Sequence, residues 1–287
     1  MSLLQYKQVG HIGLFDKEAT STKLSKLGNP LEKLHKAIDF ETFRIELEDN
    51  MLNHEKKNNA GCKPYDVVLM FKIILLKRFY NLSDEQAEYQ INDRLSFKEF
   101  LGLSSGDRVP DARSIWLFQN TLIEKNLEET LFNQFHSYLD TLGLFVNEGK
   151  IIDASFVEVP RQRNKREENE KIKSGEGQDL WNENPYKKRQ KDIDARWTEK
   201  RGEKFYGYKD HAKIDAKSKL IDSYEVTSAE VHDSQPTEKL LRAEDKGQEL
   251  HADSAYIGEP IAKILKEKGI IPQIIERAFK GKCHFLI

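Results

Sequence analysis

The chain has 287 residues, enough to bury a sizeable core and to form two domains. Its formal net charge is −2 with 33% charged residues, so any nucleic-acid-binding surface must come from a local cluster of basic residues. Two distant cysteines exclude a disulfide framework and a paired zinc site. Since no signal peptide or membrane-length apolar run is visible either, a cytoplasmic protein without a membrane partner is predicted.

The first half of the chain is predicted to be helical. Residues 1–30 lack sustained periodicity and are expected to form an irregular arm, whereas residues 31–143 carry apolar residues at helical spacing and are predicted to form a helical, DNA-binding domain. Within it, Leu82–Arg94 and Ser96–Leu101 could form a helix-turn-helix, although plain bundle packing explains the same pattern. The signals for helix ends are Asp39, Pro64, capping boxes at Ser83–Gln86 and Ser96–Glu99, Asp111, and Gly143.

The pattern changes in residues 144–287, where short β-branched runs alternate with helical ones. The predicted order is strand, charged insert (residues 161–204), strand, strand, helix, strand, helix, strand. This order indicates an α+β fold with a mixed sheet flanked by helices. The predicted strands start near Lys150, Phe205, Leu220, Leu250 and Ile270, Asp233 is predicted to cap one helix, and Pro260 and Gly269 bound the other.

Two aspartates, Asp153 and Asp253, each sit mid-strand in this prediction and are each followed by small residues. A carboxylate in an apolar strand is poorly solvated and needs a donor network or a metal ion. If the two strands are neighbours, the pair could hold a hard divalent cation through oxygen ligands. The alternative is structural, with Asp153 capping a loop or pairing with Lys150 or Arg161.

The charged insert contains fourteen Lys/Arg against ten Asp/Glu. Such stretches are usually solvated and flexible, but the bunched basic residues could instead contact DNA phosphates. Trp181, Tyr186 and Trp197 would then serve for base stacking or for local folding. The candidate phosphate contacts are Arg161, Arg163, Lys165, Arg166, Lys187, Lys188 and Arg189.

A further candidate pair follows the insert. Lys209 and His211 would share one face of a strand beside the proposed metal site, where they could contact a DNA phosphate. The alternative, which the spacing alone favours, is a solvated strand face with an aromatic core on the other side.

Several motifs follow one another along the chain: Leu69–Tyr80 with Leu82–Gln86, Asp93–Leu103, Val109–Phe118, Ile152–Ser155, Tyr206–His211 and Ala252–Tyr256. In this order they resemble the motifs of bacterial DDE-type insertion-sequence transposases, specifically the insertion-sequence-five group. The likeness extends from about Phe40 to about Ile275.

The resemblance implies an RNase-H-like fold in which two Asp and one Glu hold two Mg²⁺ (or Mn²⁺) ions for DNA cleavage and strand transfer. Asp153 and Asp253 would be the first and second acids. The implied partners are the terminal repeats of the element, target DNA and further copies of the chain in an oligomer on DNA.

One departure from the family pattern concerns the third acid, a Glu on a helix beyond the last strand. The sequence ends at Gly281–Ile287 before such a helix, and Glu276 does not match the family position. A catalytic domain that a premature stop or frameshift left incomplete is therefore expected. The alternative function is a remnant that binds DNA without cutting, while a generic metal-dependent phosphohydrolase would explain the acids but not the helical region.

Overall fold

The computed structural model of the protein describes residue 13 and residues 15–52, 63–200 and 202–275. The chain divides into two compact units, Met1–Ser137 and Tyr138–Ile287. In the described part of the chain, no helix has the length and apolar character needed to cross a membrane.

The first unit is a helical bundle built around one almost wholly apolar helix. The helices are α1 (Asp16–Lys26), α2 (Pro30–Ala37), α3 (Arg44–Met51), α4 (Val67–Phe79), α5 (Asp84–Asp93), α6 (Leu95–Leu101), α7 (Ala112–Glu124) and α8 (Leu127–Thr141), the last of which continues into the second unit. The central helix is α4, which buries residues on most of its sides, among them Val68, Ile73 and Leu76. A single turn of 3-10 helix, Phe40–Phe43, precedes α3.

Several predicted helix ends are confirmed. Ser83 Oγ accepts from the Gln86 amide at 3.2 Å while Gln86 Oε1 accepts from the Ser83 amide at 3.0 Å, which is a complete capping box. Asp111 Oδ1 accepts from the Ser114 amide at 2.7 Å and caps α7. Asp39 caps the 3-10 turn. Gly143, with φ +66°, follows the end of α8.

Other predictions for this unit are wrong. Residues 1–30 were expected to be irregular, but α1 forms within them. Most of the residues before α1 lie outside the described part of the chain. Helix α4 begins after Pro64, with Asp66 Oδ1 as its cap, accepting from the Leu69 amide at 2.9 Å. Ser96 caps nothing, because α6 already begins at Leu95.

The possible helix-turn-helix, α5 and α6, is joined by Arg94 alone. The turn of that motif is about three to four residues long. Both helices instead contribute buried side chains to the core, including Ile91 and Phe97. The structure therefore favours bundle packing for this segment.

The second unit contains a six-stranded mixed sheet with helices, which confirms the predicted α+β class. The elements are β1 (Lys150–Glu158), α9 (Arg166–Lys173), α10 (Pro185–Arg189), β2 (Arg196–Lys200), β3 (Glu203–Asp215), β4 (Ile221–Ser228), α11 (Thr237–Leu240), β5 (Glu249–Ala252), α12 (Glu259–Lys268) and β6 (Ile271–Ile274). The strands follow the order β2-β3-β1-β5-β6, and β4 pairs with β3 beyond the stretch that pairs with β2. Strand β1 is antiparallel to β3 and parallel to β5.

One face of this sheet carries the apolar core. Ile152 of β1 and Leu250 of β5 pack there with Leu240 of α11 and with Ile261 and Leu265 of α12. Because α12 connects two parallel strands, its apolar side lies against the sheet while Gly269, with φ +67°, ends it as predicted. The opposite face carries the residues that alternate with this core.

Candidate active site and nucleic-acid interface

The register of two parallel strands brings the two candidate acids together. Lys150 of β1 lies opposite Leu250 of β5, and Ile151 lies opposite His251. The prediction that these strands are neighbours is therefore confirmed. Asp153 lies two residues beyond the last residue of β1 that pairs with β5, and Asp253 lies two residues beyond the last residue of β5 that pairs with β1. Both aspartates therefore lie at the carboxyl end of this strand pair.

Both carboxylates are exposed, and each is held through one oxygen. Asp153 Oδ1 accepts from the Ala154 amide at 2.8 Å, and Asp253 Oδ1 accepts from the Ala255 amide at 2.8 Å. Among the described residues, neither Oδ2 has a hydrogen-bond partner, so each carboxylate retains one free oxygen.

The position of Asp253 differs from the prediction. It is not mid-strand but follows the end of β5 and caps a 3-10 turn, Ser254–Tyr256. An aspartate that bonds to its own downstream amide favours such a turn over a continuing strand. The alternative, a structural ion pair of Asp153 with Lys150 or Arg161, is not formed among the described residues: Lys150 pairs with Asp222 at 3.1 Å, and the Arg161 guanidinium lies over the Trp197 ring.

The donor set fits a hard divalent cation such as Mg²⁺ or Mn²⁺, because both carboxylates at this end of the strand pair are exposed and offer oxygen ligands. Within the described residues, no group of three or more acidic, histidine or cysteine side chains surrounds one point. Glu276, considered from the sequence as a third acid, lies outside the described part of the chain.

Lys209 and His211 do not lie on a DNA-accessible surface, and the prediction that they contact phosphates is wrong for this structure. They are 7% and 0% exposed. The antiparallel register pairs Asp153 with Ala212 and Ala154 with His211, so strand alternation puts both residues on the face opposite Asp153. Because both side chains are buried, the alternative of a solvated strand face is wrong as well.

Instead, these two side chains form an internal polar layer. Lys209 Nζ lies 2.8 Å from Asp233 Oδ1 and donates to the Val231 carbonyl at 2.6 Å. His211 Nε2 lies 2.8 Å from Thr227 Oγ1, and burial lowers the pKa of His211, so its ring is neutral at pH 7. Asp233 is the anion of this layer. It was predicted to cap a helix, but α11 begins only at Thr237, so Asp233 does not cap it.

Tyr256 ends the Ala252–Tyr256 motif, but no role was predicted for its side chain from the sequence. The 3-10 turn that Asp253 caps carries it back into the core, where it is 2% exposed. Its hydroxyl is buried without a hydrogen-bond partner among the described residues. Burial raises the pKa of Tyr256, and the negative charges of Asp233, Asp153 and Asp253 raise it further, so the phenol stays protonated beneath the acids.

The charged insert contains short helices, so local folding around a tryptophan, one of the alternatives left open by the sequence, is what the structure has. Helices α9 and α10 pack around Trp181, whose Nε1 donates to Glu168 Oε1 at 2.8 Å. Lys187 Nζ lies 2.6 Å from the same oxygen and 5.1 Å from the Trp181 ring centre. Ile172 supplies a buried apolar contact. The Trp181 indole and the Glu168 carboxylate thus stabilise the insert, which has no periodic run of apolar residues to form a core.

This folding separates the predicted phosphate contacts into one partly buried lysine, Lys187, and a larger group of exposed residues. Lys187 is neutralised by Glu168 and is partly buried. Lys188 donates to Asn182 Oδ1 at 2.6 Å and remains exposed, while Arg189 is exposed and has no ion pair among the described residues. The other exposed basic residues of the insert that were predicted to contact DNA are Arg161, Arg163, Lys165 and Arg166.

Comparison with known proteins gives the chain its family. Residues 19–121 match the family described as "Transposase domain (DUF772)", and residues 145–284 match the family described as "Transposase DDE domain". The cryo-EM structure of the piggyBac transposase synaptic complex with hairpin DNA is similar at 12% identity and a TM-score of 0.38, over 84% of this chain and 51% of that chain. The present chain therefore spans about half the length of that transposase. Because the two transposase families match consecutive regions that together make up most of the sequence, the chain belongs to the DDE-type insertion-sequence transposases.

Proposed function

We propose that this chain binds the terminal repeats of an insertion sequence and catalyses metal-dependent DNA cleavage and strand transfer at Asp153 and Asp253. The observation that supports the proposal is the parallel pairing of β1 with β5, since both exposed aspartates lie at the carboxyl end of this strand pair. Family membership supplies the class of reaction. The DNA partners are the element ends and target DNA, and a homo-oligomer on DNA in the cytoplasm is part of the same proposal.

The two aspartates would hold Mg²⁺ or Mn²⁺ through their free Oδ2 atoms. When bound, the metal lowers the pKa of a water or a DNA 3′-hydroxyl and stabilises the leaving oxygen of an in-line displacement. The amides of Ala154 and Ala255 fix the rotation of the two carboxylates through Oδ1. Neither aspartate needs to act as a general base, since the carboxylates serve as ligands.

The DNA backbone would be held by the exposed basic residues of the insert together with the helical unit. Arg161, Arg166, Lys188 and Arg189 carry charges on the insert surface. Such contacts position DNA without reading its sequence. In this proposal the insert, which follows β1 directly, guides DNA towards the acids.

The test is to replace Asp153 or Asp253 by Asn in the full chain. Asn keeps the shape of the side chain but removes the charge that a divalent ion needs. We expect both variants to lose Mn²⁺ binding, measured by electron paramagnetic resonance, and metal-dependent nicking of DNA that carries the element ends. DNA affinity should remain within a few-fold of the parent protein, because no phosphate contact is removed.

The matched control is Asp140→Asn, which removes an exposed aspartate of α8 and should leave metal binding and nicking unchanged. Cleavage by either active-site variant at the parent rate would show that the site is wrongly assigned. Specific end binding by the parent protein without cleavage in Mg²⁺ or Mn²⁺ would favour the alternative, a transposase-derived protein that occupies DNA ends.

A further inference from the structure

Helix α7 of the first unit has apolar residues on two opposite sides. Its inner side packs into the core through Ile115 and Leu122. Its outer side carries Trp116, Leu117 and Ile123, which are 49%, 57% and 48% exposed. A surface helix of a globular protein needs an apolar stripe only towards its own core. The outer side of α7 therefore offers apolar surface that the fold of the chain does not use.

Polar residues run along the same outer side of α7. Arg113, Leu117, Asn120 and Glu124 are three or four positions apart, so they follow one another along one side of the helix. Trp116 borders them, and tryptophan is enriched among the residues that dominate binding energy at interfaces. We call the outward-facing set the α7 stripe, and it consists of Arg113, Trp116, Leu117, Asn120, Ile123 and Glu124.

Arg113 and Glu124 are the only charged residues of α7, and each lies at the end of the helix where its charge is unfavourable. The amino-terminal end of a helix is partially positive and the carboxyl-terminal end is partially negative, so acidic residues stabilise the first turn and basic residues the last. In α7 the first turn has the basic residue and the last turn has the acidic one. Among the described residues, Arg113 makes no ion pair, and Glu124 accepts a hydrogen bond only from Asn120, at 2.6 Å. The stability of the helix itself therefore does not explain these two charges.

We infer that the α7 stripe is the surface through which two copies of the chain associate, with the two α7 helices antiparallel about a perpendicular twofold axis. In this arrangement Arg113 lies beside the partner's Glu124, at the partially negative end of the partner's helix, and symmetry forms the contact twice. The exposed apolar side chains between the two charges pack against those of the partner. A parallel arrangement would place like charges together, so the charges select the antiparallel one.

The size of the α7 stripe indicates that this association is weak on its own. A helix of 13 residues is about 20 Å long and about 10 Å wide, which gives a footprint of about 200 Å². Stable interfaces bury about 800 Å² on each partner. Two copies bound to one DNA molecule associate more readily, because DNA raises their effective concentration. The inference thus rests on the proposed function for the oligomer on DNA, and it adds the surface that forms this oligomer.

The first experiment measures self-association of the full chain by sedimentation equilibrium, both free and on a DNA duplex that carries two element ends. The parent protein should form a dimer with a dissociation constant in the micromolar range, and a tighter one on DNA. Trp116→Ala should weaken the dimer roughly tenfold to a hundredfold, because each dimer loses two interface tryptophans. Tyr89→Ala is the matched control, since Tyr89 is an exposed aromatic residue of α5 in the same unit and lies outside the stripe. This variant should associate as the parent protein does.

Charge reversal tests the antiparallel geometry. Arg113→Glu leaves two acidic residues in the stripe and Glu124→Arg leaves two basic ones, so each variant should lose its own dimer. Mixed together, the two variants should form a heterodimer at about the parent affinity, because every contact between the copies again joins opposite charges. Formation of the heterodimer also shows that both variants are folded. If the mixture does not regain the dimer that each variant has lost, the antiparallel pairing is wrong.

Two further results would overturn the inference. One is a parent protein that stays monomeric at high micromolar concentration and binds element ends as a monomer. The other is a parent dimer that Trp116→Ala, Arg113→Glu and Glu124→Arg leave unchanged, which would mean that the copies meet elsewhere on the chain. In both cases the proposed cleavage at Asp153 and Asp253 is judged by its own variants. A dimer that depends on the α7 stripe, in a protein that neither binds nor cuts element ends, would support this inference while the proposed function fails.

Discussion

Asp222 is the residue on which the buried charges of the sheet converge. Its Oδ2 lies 3.1 Å from Lys150 Nζ and 3.1 Å from Lys213 Nζ, and Lys213 also pairs with Asp245. All four side chains are at most 5% exposed. Burying charges is costly unless each one is paired, so loss of one member leaves the others uncompensated.

We therefore expect Asp222→Asn to lower the free energy of unfolding by roughly 3–5 kcal/mol, the range for breaking a buried ion pair. Urea unfolding of the full chain, followed by tryptophan fluorescence in a Trp116→Phe background, would measure it, because Trp181 and Trp197 then report on the second unit. Glu225→Gln is the matched control. Its partner Lys239 is 70% exposed, so less than about 1 kcal/mol should be lost. Equal losses in the two variants would contradict this assignment.

Acid should weaken the same cluster. Burial by itself would raise the pKa of Asp222, but the ammonium groups of Lys213 and Lys150 outweigh it and lower the pKa to about 2 from an ordinary value of 3.8. A carboxyl whose folded-state pKa is depressed stabilises the protein above its unfolded-state pKa and loses that contribution as the pH falls through the folded-state value. The stability difference between the parent protein and Asp222→Asn should thus shrink from about pH 4 to about pH 2. A stability difference that stays constant over this pH range would contradict the lowered pKa of Asp222.

At the scale of elements, the pairing of β1 with β3 depends on one glycine. Gly207 of β3 has φ +147°, and a Cβ there would overlap the Val157 carbonyl oxygen of β1 and lie 3.1 Å from the Val159 amide. Only glycine allows the two backbones to approach this closely with that backbone conformation. The same strand pair carries Asp153, so the position of the first acid depends on this contact.

Gly207→Ala should therefore destabilise the second unit by more than the roughly 1–3 kcal/mol of backbone strain alone, because the overlap adds to it. Gly175→Ala is the control, since Gly175 also has a positive φ of +83° but no neighbouring atom within 4 Å. The thermal unfolding midpoint of each variant measures the difference. Similar midpoints would show that the strands can separate at little cost.

The folded insert shows how a polar element is stabilised without a core of its own. Trp181 and Glu168 organise two short helices, and the strong hydrogen bonds from Lys187 and Trp181 lower the pKa of Glu168 to about 2. The carboxylate therefore stays charged at neutral pH and keeps Lys187 engaged. This internal use of Lys187 distinguishes it from the exposed Arg189 beside it.

For the whole molecule, a net charge of −2 means that DNA binding must come from local basic surface. Each lost phosphate contact lowers the salt slope of binding by about one unit. We expect Arg189→Gln to show this decrease and Lys187→Gln to show a smaller one, because Glu168 already neutralises Lys187. Filter binding over a range of salt concentrations provides the measurement. An unchanged slope in Arg189→Gln would remove that residue from the DNA interface.

The sequence by itself determined the features that depend only on residues close together along the chain. The capping box at Ser83, the cap at Asp111 and the helix stop at Gly269 are local hydrogen bonds or single-residue conformations, and the structure has all three. The α+β class followed in the same way, from changes in apolar periodicity along the chain. The motifs that carried the resemblance led to the family that the comparisons show.

Only the tertiary structure decided the features that depend on register and burial. Sequence alternation showed that Lys209 and His211 share a strand face, but the pairing of β1 with β3 decided that this face is internal and opposite Asp153. The sequence left open whether the insert folds, because its stabilising hydrogen bonds, made to Glu168 by Trp181 and Lys187, join residues 13 or more positions apart and leave no periodic pattern. Asp153 and Asp253 are 100 positions apart, and the strands that lead to them become neighbours because parallel strands are brought together by long crossovers that no local signal specifies.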